Sequence, residues 1–316
     1  MKTRVQTKAD SQRACQWLAW AASLAHDTSL HDSTAPPKPS KEDIRAVTCA
    51  QFREHTDHLM LGKFPEPALD ALHAGGFLEI WLPEVASMVG FGDGEWRHKD
   101  VWKHTKQVVK QSVRRLELRW GALLHDIGKP KTRRIEDNGQ VTFYGHAEVG
   151  AAMFRKRTAQ RLGMQGALYE RVHFLILHHL RPSQYRASWT DSAVRRFYKQ
   201  MGPGLRDLLD LSRADITTKR PERRKWGVAQ ISALQERIRV LKEQDAKVTP
   251  LPKGLGHLLM NRFGLPPSRL LGDIRKQLEE DVATGRILAG GQEEYYADWV
   301  AADPVRFGLV GEEAAE

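Results

Sequence analysis

Leu116-Glu117-Leu118-Arg119-Trp120-Gly121-Ala122-Leu123-Leu124-His125-Asp126-Ile127-Gly128-Lys129 is the stretch on which the reading of this 316-residue chain turns. Residues 116–124 are apolar almost all round, the pattern of a helix buried on every side. At its end stand an imidazole and a carboxylate, His125 and Asp126. A charge there lies in low dielectric, which is costly unless a cation or hydrogen bonds compensate. Adjacent helical side chains point about 100° apart, yet in a last turn both can face one ion.

Working outward, helical periodicity dominates. Upstream, Val101, Thr105, Val108, Val109, Ser112 and Leu116 recur at helical spacing, with His104 beside that stripe. Downstream, Asp137-Asn138-Gly139 joins two short alternating runs between 134 and 144, which predicts a small β-hairpin, and His146 follows it. Leu168, Val172, Leu175, Ile176 and His179 form the next stripe, with His178 and His179 at its end. Thr190 or Asp191 caps a basic helix that stops at Gly202. Leu205, Leu208, Leu211 and Ser212 lead into Asp215, a carboxylate on an apolar face. Ile231, Leu234, Ile238 and Leu241 make the seam of a long helix.

At the N-terminal side, 14–25 reads as an amphipathic helix, and the Pro- and Ser-rich run 33–41 as a linker. Ser40 caps a helix with Asp43 in its first turn; Pro65 opens another that Gly75-Gly76 ends. Two or three helices fill the stretch to Gly90. Beyond 248 the chain offers a short helix, the turn Gly264-Leu265-Pro266-Pro267, a helix near 270–285 and a Gly- and Glu-rich end that reads as frayed. The fold class is all-α, a helical bundle with one small β-hairpin. Its divisions are an N-terminal helix and linker (1–40), a helical neck (41–95), a central domain (96–247) and a helical tail (248–316).

Composition sets the limits. No apolar run approaches the roughly 20 residues that span a bilayer, so we expect a soluble cytoplasmic protein with no membrane partner. Two cysteines, Cys15 and Cys49, have no framework spacing and read as free, buried thiols in a reducing compartment. The net charge of +10 favours polyanionic partners, RNA first, although a basic surface alone decides nothing. Basic residues cluster at 129–134, 155–161 and 213–225.

Of thirteen histidines, His104, His125, His146, His178 and His179 lie beside or at the ends of apolar helices, with Asp126 and Asp215. A set of N and O donors suits Mg, Mn, Fe, Ni or Co, and the absence of thiolates argues against structural zinc. His31, His55, His58, His73 and His257 read as surface or packing residues, and His98 stays outside the set.

The order His104, His125-Asp126, His146, His178-His179, Asp215 resembles the HD superfamily of metal phosphohydrolases. That resemblance implies one metal set of His104, His125, Asp126 and Asp215. It also implies an extended set, His146 with His178 or His179, for a second ion. Lys129 would match the family's phosphate-contacting lysine. The runs Trp96-Arg97-His98-Lys99-Asp100-Val101-Trp102-Lys103-His104-Thr105, Leu118–Asp126 and Phe143-Tyr144-Gly145-His146-Ala147-Glu148 look like the body of bacterial CCA-adding tRNA nucleotidyltransferases. Residues 78–90 are similar to their neck and 259–267 to their tail, so the likeness spans roughly 41–288. Nucleotide addition needs a paired-carboxylate strand holding two Mg ions. No Asp-x-Asp occurs here, and too few residues precede Arg45 for a head domain, so the expectation is a relative that does not add CCA.

The resemblance implies a 2′,3′-cyclic phosphodiesterase, 2′-nucleotidase or phosphatase acting on RNA ends or nucleotides with one or two divalent ions. Asp126 and Lys129 would be catalytic; Lys129, Arg133, Arg134 and Arg213 would hold the substrate. The alternatives are hydrolysis of free (deoxy)nucleotides, or a non-catalytic module that binds RNA, with tRNA one candidate.

Overall fold

A computed structural model describes residues 2–91, 100–246 and 251–309. Trp96, Arg97, His98 and Lys99, which carry part of the resemblance, lie outside the described residues. The chain divides into two units, Met1–Ile238 and Arg239–Glu316. The first covers the stretches read as N-terminal helix and neck and the central domain as far as Ile238.

The first unit opens with α1 (Lys2–Leu24), followed by α2 (Lys41–Arg45), α3 (Cys49–Leu61), α4 (Pro65–Gly75), α5 (Phe77–Trp81) and α6 (Pro83–Ala86). The neck is thus five short helices where two or three were expected. Residues 34–40 form neither helix nor strand, as their prolines lead one to expect. Ser40 and Asp43 close a reciprocal capping box at 3.1 and 2.8 Å. Gly76, at φ 87°, ends α4 in the left-handed conformation open to glycine. α1 does not swing free: Ala14, Trp17, Leu18, Ala21 and Ala22 are buried, and Trp17 Nε1 donates to the Ala71 carbonyl at 2.9 Å. Cys15 and Cys49 are free thiols, half-buried rather than buried.

The central helices are α7 (Val101–Gln111), α8 (Leu116–Leu124) and the short α9 (Lys129–Thr132). α7 stops before Ser112, so Leu116 belongs to the next helix instead of extending its stripe. The hairpin pairs β1 (Arg134–Ile135) with β2 (Val141–Thr142) antiparallel, and Gly139 turns at φ 75°. Among the described residues it is the only sheet. Then come α10 (His146–Met153), which runs through one wide π turn (Phe154–Thr158) into α11 (Ala159–Arg161), and α12 (Gly166–His178), α13 (Asp191–Met201), α14 (Leu205–Ala214) and α15 (Pro221–Ala246). Thr190 caps α13 through the Ala193 amide.

α8 is the axis of this unit. Residues 118–124 are all buried, and α3, α7, α12 and α14 pack around it. Two glycines allow the close approaches. A Cβ on Gly121 would lie 2.8 Å from Leu175 on α12, and one on Gly128 would lie 2.1 Å from the His146 carbonyl on α10. Gly128 therefore brings the chain just after Asp126 into backbone contact with the start of α10.

The second unit contains α16 (Leu255–Phe263), α17 (Arg269–Ala283) and α18 (Glu293–Ala302). Leu255, Leu259, Ile274, Leu278, Tyr296, Ala297 and Val300 form its core. The trailing end from 310, expected to fray, lies outside the described residues; before it, α18 buries Tyr296, Ala297 and Val300 as a stripe inside an acidic sequence. No helix among the described residues is long and apolar enough to cross a membrane.

Candidate metal centre

Four imidazoles converge where the ends of α8 and α12, the start of α10 and the middle of α7 meet. Each is oriented by the same device. Nδ1 of His125 donates to the Ala122 carbonyl, His146 to Phe143 and His179 to Ile176, each at 2.8 Å across three residues. His104 Nδ1 reaches the Thr217 hydroxyl oxygen, also at 2.8 Å. A carbonyl only accepts, so Nδ1 of the first three rings carries a proton and Nε2 faces inward. Thr217, an uncharged residue two places past Asp215, escaped the sequence reading.

The inward nitrogens form two pairs. Nε2 of His104 and His125 lie 3.3 Å apart, those of His146 and His179 3.1 Å. Two neutral imidazoles meeting through lone pairs repel unless a proton or cation stands between them.

The Asp126 carboxylate lies between these pairs. Its Oδ2 is 3.2 Å from His125 Nε2, 3.5 Å from His104 Nε2 and 2.5 Å from Lys129 Nζ. Its Oδ1 faces the other side, 3.4 Å from His146 Nε2 and 3.9 Å from His179 Nε2, and has no hydrogen-bond partner although buried. Asp215 closes the first side, 3.0 Å from His104 Nε2 and 3.5 Å from His125 Nε2. His104, His125 and Asp126 offer donor atoms close enough for one ion, and Asp126, His146 and His179 for another. An orphaned buried oxygen, opposed lone pairs and an all N/O donor set fit one or two divalent cations.

The electrostatics show what the cluster does without an ion. Burial pushes the His125 imidazole down, but the Asp126 and Asp215 carboxylates outweigh it and lift its pKa to about 10. His179 is depressed to about 4, by burial and then by the charge on His125. Both aspartates stay well below the usual carboxylate range despite burial, Asp126 held by His125 and Lys129, Asp215 by His104 and His125. One proton thus takes a place that a cation can fill.

The structure brings together His104, His125, Asp126, Lys129, His146, His179 and Asp215. It does not bring His178. That ring stands one position, about 100° of helix, before His179 and packs edge-on against Phe174 at 4.8 Å. Arg133 and Arg134 are exposed beyond Lys129. Arg213 turns away from the cluster and donates to Asp210, at 3.0 Å, and to Gln235. Its partners, not its charge, place it.

Residues 99–220 match the HD domain family. Among curated proteins, the A-adding tRNA nucleotidyltransferase of Deinococcus radiodurans is 34% identical over 224 residues, 68% of this chain and 50% of that protein. The CC-adding tRNA nucleotidyltransferase of Thermus thermophilus is 34% identical over 254 residues, 77% of this chain and 54% of that one. The multifunctional CCA protein of Pseudomonas syringae is 29% identical over 99 residues, 30% of this chain and 24% of its own. The chain spans about half the length of the first two relatives. An HD domain is therefore present, related to the matching part of these tRNA enzymes.

Proposed function

We propose that this chain, with an HD domain across residues 99–220, is a metal-dependent phosphohydrolase acting on phosphoesters at RNA ends. The carrying observation is the Asp126 carboxylate, which turns one oxygen to His104 and His125 and the other, unpartnered, to His146 and His179. A divalent ion bound there lowers the pKa of water and screens phosphate charge.

The remaining work falls to the chain's own groups. The Nδ1 bonds to Ala122, Phe143, Ile176 and Thr217 hold four rings with Nε2 inward before any ligand arrives, so little reorganisation is needed on binding. Asp126 and Asp215 supply the anionic donors, and Asp126 orients the attacking oxygen. Lys129, paired with Asp126 and partly exposed, turns its ammonium to the charge that develops on the phosphoryl group. Arg133 and Arg134, both exposed just beyond Lys129, hold the polyanion in this reading. RNA is preferred to a free nucleotide because the relatives are named for tRNA.

The purified protein with Mn or Ni is expected to hydrolyse bis(p-nitrophenyl) phosphate and 2′,3′-cyclic phosphate ends. His125→Ala and Asp126→Ala abolish both. Unchanged rates in these variants would refute the assignment, and faster turnover of free mononucleotides than of RNA ends would move the substrate to nucleotides.

A further inference from the structure

The loop that carries Asp215 and Thr217 to the cluster runs directly into a dense set of cations. Lys219, Arg220, Arg223, Arg224 and Lys225 stand against one carboxylate, Glu222, and residues 219–226 are all exposed. Five like charges so close together repel one another, and a bound polyanion relieves that repulsion. Nearby lysines of α7 are already neutralised: Lys106 pairs with Asp70 and Lys110 with Glu66. In the 219–225 run, Arg224 donates only to the Gln111 side chain at 3.2 Å, and among the described residues no carboxylate pairs with the other four.

This run borders a cavity of about 700 Å³ between α7 and the start of α15, lined by Gln107, Thr218, Lys219, Arg224, Lys225 and Val228 among others. Two of its lining residues are close in sequence to the cluster. Gln107 is one turn along α7 from His104, and Thr218 follows Thr217, whose hydroxyl is hydrogen-bonded to His104 Nδ1. Next to Lys225 in the same turn of α15, though not in the cavity's lining, Trp226 is 62% exposed. Its neighbour Gly227 packs closely on Ile216, where a Cβ would come within 3.2 Å, so the helix is seated and the indole remains in solvent. Cations alone would take any polyanion. An indole among them selects one with flat bases: phosphates lie on the cations and an unpaired base stacks on the ring.

We propose that the 218–229 face is a platform for single-stranded RNA. Lys219, Arg224 and Lys225 hold the backbone, Trp226 stacks a base, and the strand's phosphorylated end is thereby presented to the metal cluster. The inference rests on the RNA-end phosphohydrolase reading and adds where the strand lies.

The test is fluorescence anisotropy of a short labelled oligoribonucleotide titrated with the full chain in chelator, so that nothing turns over. Trp226→Ala is expected to weaken binding roughly tenfold, the scale of one lost stack, while Trp226→Phe keeps most of the affinity. Replacing Lys219, Arg224 and Lys225 together by Ala is expected to flatten the slope of log K against log salt by about 2. Unaltered binding by Trp226→Ala overturns the platform. So does equal affinity for duplex RNA or for polyphosphate, which would make the face a general polyanion surface. Hydrolysis of bis(p-nitrophenyl) phosphate with Mn, assayed separately, reports on the cluster. Its failure with RNA binding intact refutes the phosphohydrolase reading and leaves the platform standing.

Discussion

Two buried aspartates, one in each unit, show how a structural carboxylate differs from a functional one. Asp281 on α17 is 0% exposed and fully partnered. Its Oδ1 accepts from Arg306 at 2.6 Å and Arg286 at 3.2 Å, and its Oδ2 from Trp299 Nε1 at 3.0 Å. Asp126 is 1% exposed, yet only Lys129 is a firm donor to it, and its Oδ1 has none. Burying a carboxylate is costly in both places. Around Asp281 the chain supplies the whole compensation. Around Asp126 it supplies four imidazoles whose Nε2 atoms point the same way, an arrangement that a cation completes.

Substitutions can break that contrast. Asp126→Ala is expected to remove hydrolysis to background and to empty the cluster of metal. Asp281→Ala is expected to leave the rate of hydrolysis unchanged and to destabilise the second unit by about 2 kcal/mol, less than a fully buried pair because both arginines reach solvent. Hydrogen exchange at α16–α18 reads the second effect. Exchange accelerated nowhere in α16–α18, together with a fallen rate of hydrolysis in Asp281→Ala, would erase the distinction.

Finer substitutions sharpen it. His179→Ala is expected to abolish binding of the ion on the Asp126 Oδ1 side, whereas His178→Ala removes only a ring contact and keeps full metal content by elemental analysis. Thr217→Val frees the His104 ring and is expected to weaken metal binding by roughly 10–100-fold in titration calorimetry. The smallest effect is on pH. Below about pH 10 His125 holds a proton in the ion-free cluster, and the ion must displace it. Uptake therefore releases a proton, and apparent affinity rises with pH by up to about tenfold per unit. Calorimetry in two buffers of different ionisation heat detects the proton; no release would show that His125 binds without competing.

The elements that sequence announced are those with local grammar. Ser40 with Asp43, Gly76, Asn138-Gly139 and Thr190 carry their turn or cap chemistry within four residues, so they are legible without the fold. The cluster was legible for another reason: His125-Asp126 at the end of a uniformly apolar helix has no cheap structural explanation. What depended on packing was not legible. His178 and His179 are alike in sequence, and only the angle of the last turn of α12 separates them. Thr217 carries no charge to attract notice. The partners of Arg213, Asp210 and Gln235, are likewise set by packing and not by the sequence pattern. α18 hides Tyr296, Ala297 and Val300 within acidic and glycine-rich sequence. Asp281 is indistinguishable from a surface carboxylate until Arg286, Arg306 and Trp299 fold around it.

Anomalous diffraction from crystals of the Mn-loaded protein tests the central claim most directly. The account predicts a peak among His104, His125, Asp126 and Asp215, with a second, when two ions bind, among Asp126, His146 and His179. No peak at either place, with the four imidazoles still gathered, would contradict it.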